Sequence, residues 1–137
     1  MLRRIAPLLA LPLAVVACGG GTLDSASFRK DAEAIQSFAA EGALLARDVA
    51  EGRSLSPYVR VHVGELAADA ESLAGRLERA TAAPNVRPRL PRARSLARRV
   101  AAALARLESF PGDRERASRV ARRLDEAADS AERLATS

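Results

Sequence analysis

Residues 120–134 read VARRLDEAADSAERL, and within them Val120, Leu124, Ala127, Ala131 and Leu134 recur at spacings of four, three, four and three. At 3.6 residues per turn, that alternation places all five along one side of an α-helix and leaves the charged positions on the other side. A half-buried strand would alternate with a period of two, and nothing in this stretch does. Working back toward the N-terminus, Phe110-Pro111-Gly112-Asp113 predicts a sharp turn, and a third helix is expected over about Pro91 to Ser109. Its stripe is Leu96, Val100, Ala103 or Leu104, and Leu107.

The same reading extends through the first half of the chain. From about Asp24 to Glu51, Phe28, Ile35, Phe38, Leu45 and Val49 form a stripe that Gly52 closes. Ser56-Pro57 opens the next segment, where serine suits the free amides of a helix start and proline's fixed φ suits the first turn. Val59, Val63, Leu66, Ala70, Leu73 and Leu77 follow in register, and Ala82-Ala83-Pro84-Asn85 ends the segment. Alanine is abundant, and the whole chain is only 3% aromatic, so helix formers dominate and strand formers are scarce. Each segment has one apolar stripe and one charged face, so none is stable alone and all are expected to share a core. The expected fold is an all-α, antiparallel up-down four-helix bundle over residues 24–137, with helices roughly 30 to 40 Å long. Alanine at many stripe positions buries little area per residue, so modest stability is expected.

The middle connection departs from this composition. Pro84, Pro88 and Pro91 exclude a helix interior, and the stretch is expected to be an extended linker between two helical hairpins. The alternative is a proline-rich recognition segment.

At the N-terminus, Arg3 and Arg4 precede an uncharged run, Ile5 to Val16, that contains Pro7 and Pro12. The run is too short to span a bilayer, for which about 20 apolar residues are needed, and it suits the apolar region of a signal peptide. It ends in Val15-Val16-Ala17-Cys18, which holds the chain's one cysteine. This motif resembles the lipobox of bacterial prolipoproteins, with valine at position 15 where leucine is frequent. The resemblance covers about the first 20 residues. It implies cleavage between Ala17 and Cys18, so that residues 1–17 are a signal peptide and Cys18 carries acyl chains such as palmitate. Two or three such chains would hold the protein on the membrane almost permanently, at about 0.8 kcal/mol per buried methylene. The expected location is therefore the extracytoplasmic face of a cell membrane. A diderm could send it to the outer membrane, since Gly19 stands where an aspartate is associated with inner-membrane retention, whereas a monoderm has only one membrane to offer. Gly19 to Gly21 suit a flexible tether, assigned to residues 18–23. Lipidation would consume the thiol and leave a domain without disulfides.

Charge is distributed unevenly beyond that anchor. Residues 19–83 hold seven basic and ten acidic side chains, whereas residues 84–137 hold thirteen and seven. The extreme is Arg87, Arg89, Arg92, Arg94, Arg98, Arg99 and Arg106, with no acid until Glu108. Such density makes a positive field, and the first six of these arginines are the candidate interaction residues. Anionic lipid headgroups or an envelope protein are the candidate partners. The alternatives are a structural use of the arginines against the acidic first half, or a merely solvated face of the bundle. Nucleic acid is not an expected partner, because no recognition fold or interleaved aromatic set accompanies the arginines.

The sequence offers no chemistry to set beside the charge. Tyr58, His62, Glu65 and Asp69 share one helix face, but one histidine and one His-x-x-Glu pair fall short of a bundle metal site, so no metal ligand is assigned. No phosphate loop, Cys-x-x-Cys pair, haem attachment site or nucleophile elbow is present, so no catalytic residue and no cofactor are expected. The expectation is a binding or interaction module. A carrier of small apolar ligands and a structural envelope spacer are the alternatives.

Overall fold

Two aspartates begin helices where the periodic stripes predict them. In the computed structural model, which describes residues 21–53 and 56–137, Asp24 accepts a hydrogen bond from the Ser27 amide at 2.8 Å and caps α1, Ser25–Ala50. Asp113 accepts from the Arg116 amide at 2.9 Å and caps α4, Arg114–Thr136. A short acceptor at this position satisfies one of the four amides that a helix start leaves free. Between them lie α2, Ser56–Arg79, and α3, Leu90–Ser109, whose first turn contains Pro91. The described residues form four helices and no strand, consistent with a four-helix bundle.

Gly52 ends α1 with a φ of 72°, a conformation that disfavours any residue with a Cβ. The free carbonyl of Ala50 then accepts from Arg114 Nε at 3.0 Å, which ties the end of α1 to the start of α4.

The core is continuous and built almost wholly from leucine, valine and alanine, with Phe28 and Ile35 as its largest contributions from α1. Among the described residues no polar or charged side chain is buried. Every predicted stripe residue of α2 and α4 is buried, and on α1 only Phe38 is partly exposed. The most extensive packing is of α1 on α4 and of α2 on α3. Helices α1 and α3 also meet across the interior, whereas α2 and α4 do not. Gly42 permits that approach. A Cβ there would stand 2.5 Å from Leu104 Cδ2 and 3.0 Å from Leu124 Cδ1, so the absence of a side chain is filled by leucines of two other helices.

The middle connection corrects the sequence expectation. Residues 84–89 are consecutive hydrogen-bonded turns, not an extended linker. The amides of Val86 and Arg87 both donate to the Ala83 carbonyl at 2.9 Å, and those of Arg89 and Leu90 donate to the Val86 carbonyl. Val86 is the reason: it is completely buried, and an apolar side chain drawn into the core forces the chain to coil tightly around it. Prolines interrupt the donors of a helix but tolerate turns, so Pro84 and Pro88 are compatible with this path.

The N-terminal approach to α1 is also held. The Leu23 amide donates to the Thr81 carbonyl at 2.8 Å, and the Ala83 amide donates to the Leu23 carbonyl at 3.0 Å. Leu23, assigned by sequence to the tether, is thus fastened to the segment after α2 and packs against the core. Gly21, by contrast, has open space around it. Cys18 and the signal-peptide segment, residues 1–17, lie outside the described residues. Among the described residues no helix is long and apolar enough to cross a membrane.

Candidate interaction surface

The six candidate arginines divide by what their guanidinium groups already do. Arg94, half-buried, donates from Nε to the Leu77 carbonyl at 2.8 Å and from a terminal nitrogen to the Ala80 carbonyl at 2.9 Å. Leu77 and Ala80 lie at the end of α2, where carbonyls run out of regular i+4 donors (the Leu77 oxygen accepts only a long 3.3 Å bond from the Ala80 amide), so Arg94 serves as a C-terminal cap for α2. Arg98 pairs with Glu78 of α2 at 2.9 Å. Arg89 donates to the Ser137 backbone oxygen and lies 4.8 Å from the centre of the Phe28 ring. These three stitch helices together. The structural alternative raised from sequence therefore applies to half of the set.

Arg87, Arg92 and Arg99 are exposed and make no ion pair among the described residues. Arg87 stands in the turn before α3, apart from the other two. Arg92 and Arg99 are seven residues apart, and Arg106, equally exposed and without an ion pair, continues the same line after seven more. That spacing is close to two helical turns, so the three share one side of α3 and succeed one another at about 10 Å along its axis.

The second rim of this surface comes from α4, and the sequence reading missed it. Three contiguous clefts run along the seam between α3 and α4. The first is lined by Arg92, Arg99 and Arg133, the second by Arg99, Arg106 and Arg123, and the third by Arg106, Arg123, Arg116 and Arg119. Arg116 pairs with Asp113 and lies 3.7 Å from the centre of the Phe110 ring, and Arg119 pairs with Glu115. Arg123 and Arg133 form no ion pair among the described residues. The available signal was the heptad offset that puts Arg116 and Arg123 on one line of α4, as it puts Arg92, Arg99 and Arg106 on one line of α3.

Elsewhere several acids are engaged by arginines. Asp31 pairs with Arg76 at 2.7 Å, Asp48 with Arg53 at 2.9 Å, and Asp125 with Arg47. Glu126 is the one acid lining the three clefts. The seam therefore has a surplus of cations that the fold itself does not neutralise.

The polar face of α2 is occupied locally. His62 forms a 2.9 Å contact with Glu41 of α1 and stacks on Tyr58 with ring centres 5.7 Å apart. Among the described residues no group of three potential metal ligands converges. Comparison of the chain with protein-family models, with curated proteins and with solved structures finds no match.

Proposed function

We propose that this chain is a lipid-anchored extracytoplasmic interaction module. In this reading residues 1–17 are a cleaved signal peptide, Cys18 carries the acyl chains, and an antiparallel up-down bundle binds an anionic component of the cell envelope through α3. The bundle topology is supported by pairs that run in opposite directions along neighbouring helices. Asp31 and Glu41 of α1 meet Arg76 and His62 of α2, and Arg47 of α1 meets Asp125 of α4. Arg89 at the start of α3 reaches Ser137 beyond the end of α4.

The observation that carries the binding assignment is the line Arg92, Arg99 and Arg106, exposed and unneutralised while the remaining arginines of α3 serve the fold. Structural use explains an arginine that caps or pairs. It does not explain three at heptad spacing on one face that form no ion pair among the described residues. The reading assigns no catalysis, no metal and no cofactor, and no role for nucleic acid.

Two paired experiments test it. Labelled fatty acid is expected to enter the protein in cells and to be absent from Cys18→Ser. Replacing Arg92, Arg99 and Arg106 by glutamine is expected to release the envelope component that co-isolates with the anchored protein, while the far-ultraviolet circular dichroism stays unchanged. Retention of the component by the triple variant would falsify the assignment of the face.

A further inference from the structure

We infer that the α3–α4 seam is a binding groove for an extended linear polyanion, a chain of phosphate or carboxylate groups lying parallel to the helix axes. The inference rests on the reading of α3 as a binding face and specifies its ligand. Three observations support it.

The first is arrangement. The clefts are continuous because neighbours share lining residues: Arg99 belongs to the first and second, and Arg106 and Arg123 belong to the second and third. Arg92 to Arg106 covers about 20 Å of helix axis, with a cation roughly every 10 Å on the α3 rim and Arg123 and Arg133 opposite. A single small anion meets one or two of these groups, whereas a chain of anions meets them in succession.

The second is charge. The five arginines without ion pairs among the described residues face one acidic side chain, Glu126, in the lining of the seam. Like charges held this close repel one another, and a polyanion relieves that repulsion while its own condensed counterions are released.

The third is the floor. Leu96, Ala103, Ala127 and Leu134, which lie beneath the arginines, are at most 8% exposed, and the one large apolar side chain exposed along the seam, Phe110, stands at its end under the Arg116 guanidinium, so the groove has no row of apolar pockets along its length. An amphipathic helix needs apolar anchors to dock, and its affinity derives from burying them. A bilayer surface spreads its anions over a plane, whereas these cations flank a line. The seam therefore favours a polymer held by charge and by hydrogen bonds from guanidinium forks.

The test uses the full chain purified in neutral detergent, with short-chain inorganic polyphosphate as the probe, titrated calorimetrically at several salt concentrations. Binding is expected, with log affinity falling linearly with log salt. Arg99→Gln, Arg106→Gln and Arg123→Gln together are expected to weaken it about a hundredfold. The same change should lower the salt slope by about 2, at about 0.7 for each cation lost. A charge-matched variant elsewhere, Arg29→Gln, Arg60→Gln and Arg79→Gln, is expected to leave both nearly unaltered. Equal losses in the two variants would reduce the effect to net charge and overturn the groove. Inorganic monophosphate competing as well, at equal phosphate concentration, would also overturn it. So would vesicles of phosphatidylglycerol, corrected for phosphatidylcholine vesicles, binding more tightly than the polymer in a manner abolished by the seam variant. Should polyphosphate not bind while the α3 substitutions still release the envelope component, the linear ligand fails and the binding face stands.

Discussion

Gly42→Ala sets two effects of known sign against each other. In an exposed helix interior, alanine for glycine stabilises by about 1 kcal/mol, because it restricts the unfolded chain and removes backbone exposure. At Gly42 the added methyl would stand 2.5 Å from Leu104 Cδ2 and 3.0 Å from Leu124 Cδ1, well inside the normal carbon contact distance of about 3.5 to 4.0 Å. Both leucines are completely buried, so neither can rotate toward solvent. Overpacking of a filled core costs about 1 to 3 kcal/mol, and a site closed on two sides belongs at the upper end. The net expectation is destabilisation by about 2 kcal/mol, a fall of about 8 °C in Tm for a domain of this size.

Urea denaturation followed by circular dichroism, with a thermal melt beside it, reads this directly. Leu104→Ala alone is expected to cost about 3 kcal/mol through the cavity it leaves, and the double variant is expected to cost at least 1 kcal/mol less than the sum of the two. Gly64→Ala is the internal comparison. Its Cβ would meet only the Glu108 carboxylate at 2.9 Å, the far end of a half-buried helix side chain that can turn outward, so a gain of roughly 0.5 to 1 kcal/mol is expected. A Gly42→Ala protein as stable as the parent, or more so, would refute the close meeting of α1 with α3 and α4.

Three further outcomes follow from the caps and the connection. Arg94→Ala is expected to lower stability by about 1 to 2 kcal/mol in urea while leaving polyanion affinity within about twofold, because its guanidinium is spent on the Leu77 and Ala80 carbonyls. Val86→Asp is expected to unfold the chain or cost more than about 3 kcal/mol, since it buries a carboxylate where an apolar side chain seals the core; a mild loss in urea denaturation would contradict the turn geometry. The Ser27 amide holds the Asp24 carboxyl below its ordinary value of 3.8, so the native state prefers the ionised form. That stabilisation is present above the unfolded value and is lost as pH falls through the native one. The wild type should therefore weaken relative to Asp24→Asn as pH drops below about 3.8, and a constant difference across that range in acid denaturation would count against the cap.

The helices were legible because a period near 3.6 in Val120, Leu124, Ala127, Ala131 and Leu134 is a local property that burial merely uses. Asp24 and Asp113 mark starts for the same local reason. Val86 was not legible: one apolar residue among prolines and arginines has no period, and only its position over the core decides that it turns inward. The arginine patch was half legible. Counting along the chain finds the density in α3 but gives Arg94 and Arg99 equal weight, although one caps α2 and the other faces solvent. The contribution of Arg123 and Arg133 required knowing that α4 lies beside α3, a long-range fact that composition does not carry.

The most direct test of the α3–α4 seam as the binding face places a photoreactive residue at position 99 of the full chain in intact cells, with position 60, exposed on α2, as the comparison. Irradiation at 99 is expected to give one discrete adduct that disappears when Arg92 and Arg106 become glutamine, with none from position 60. Adducts of equal yield from both positions, or an adduct at 99 indifferent to Arg92 and Arg106, would contradict the assignment.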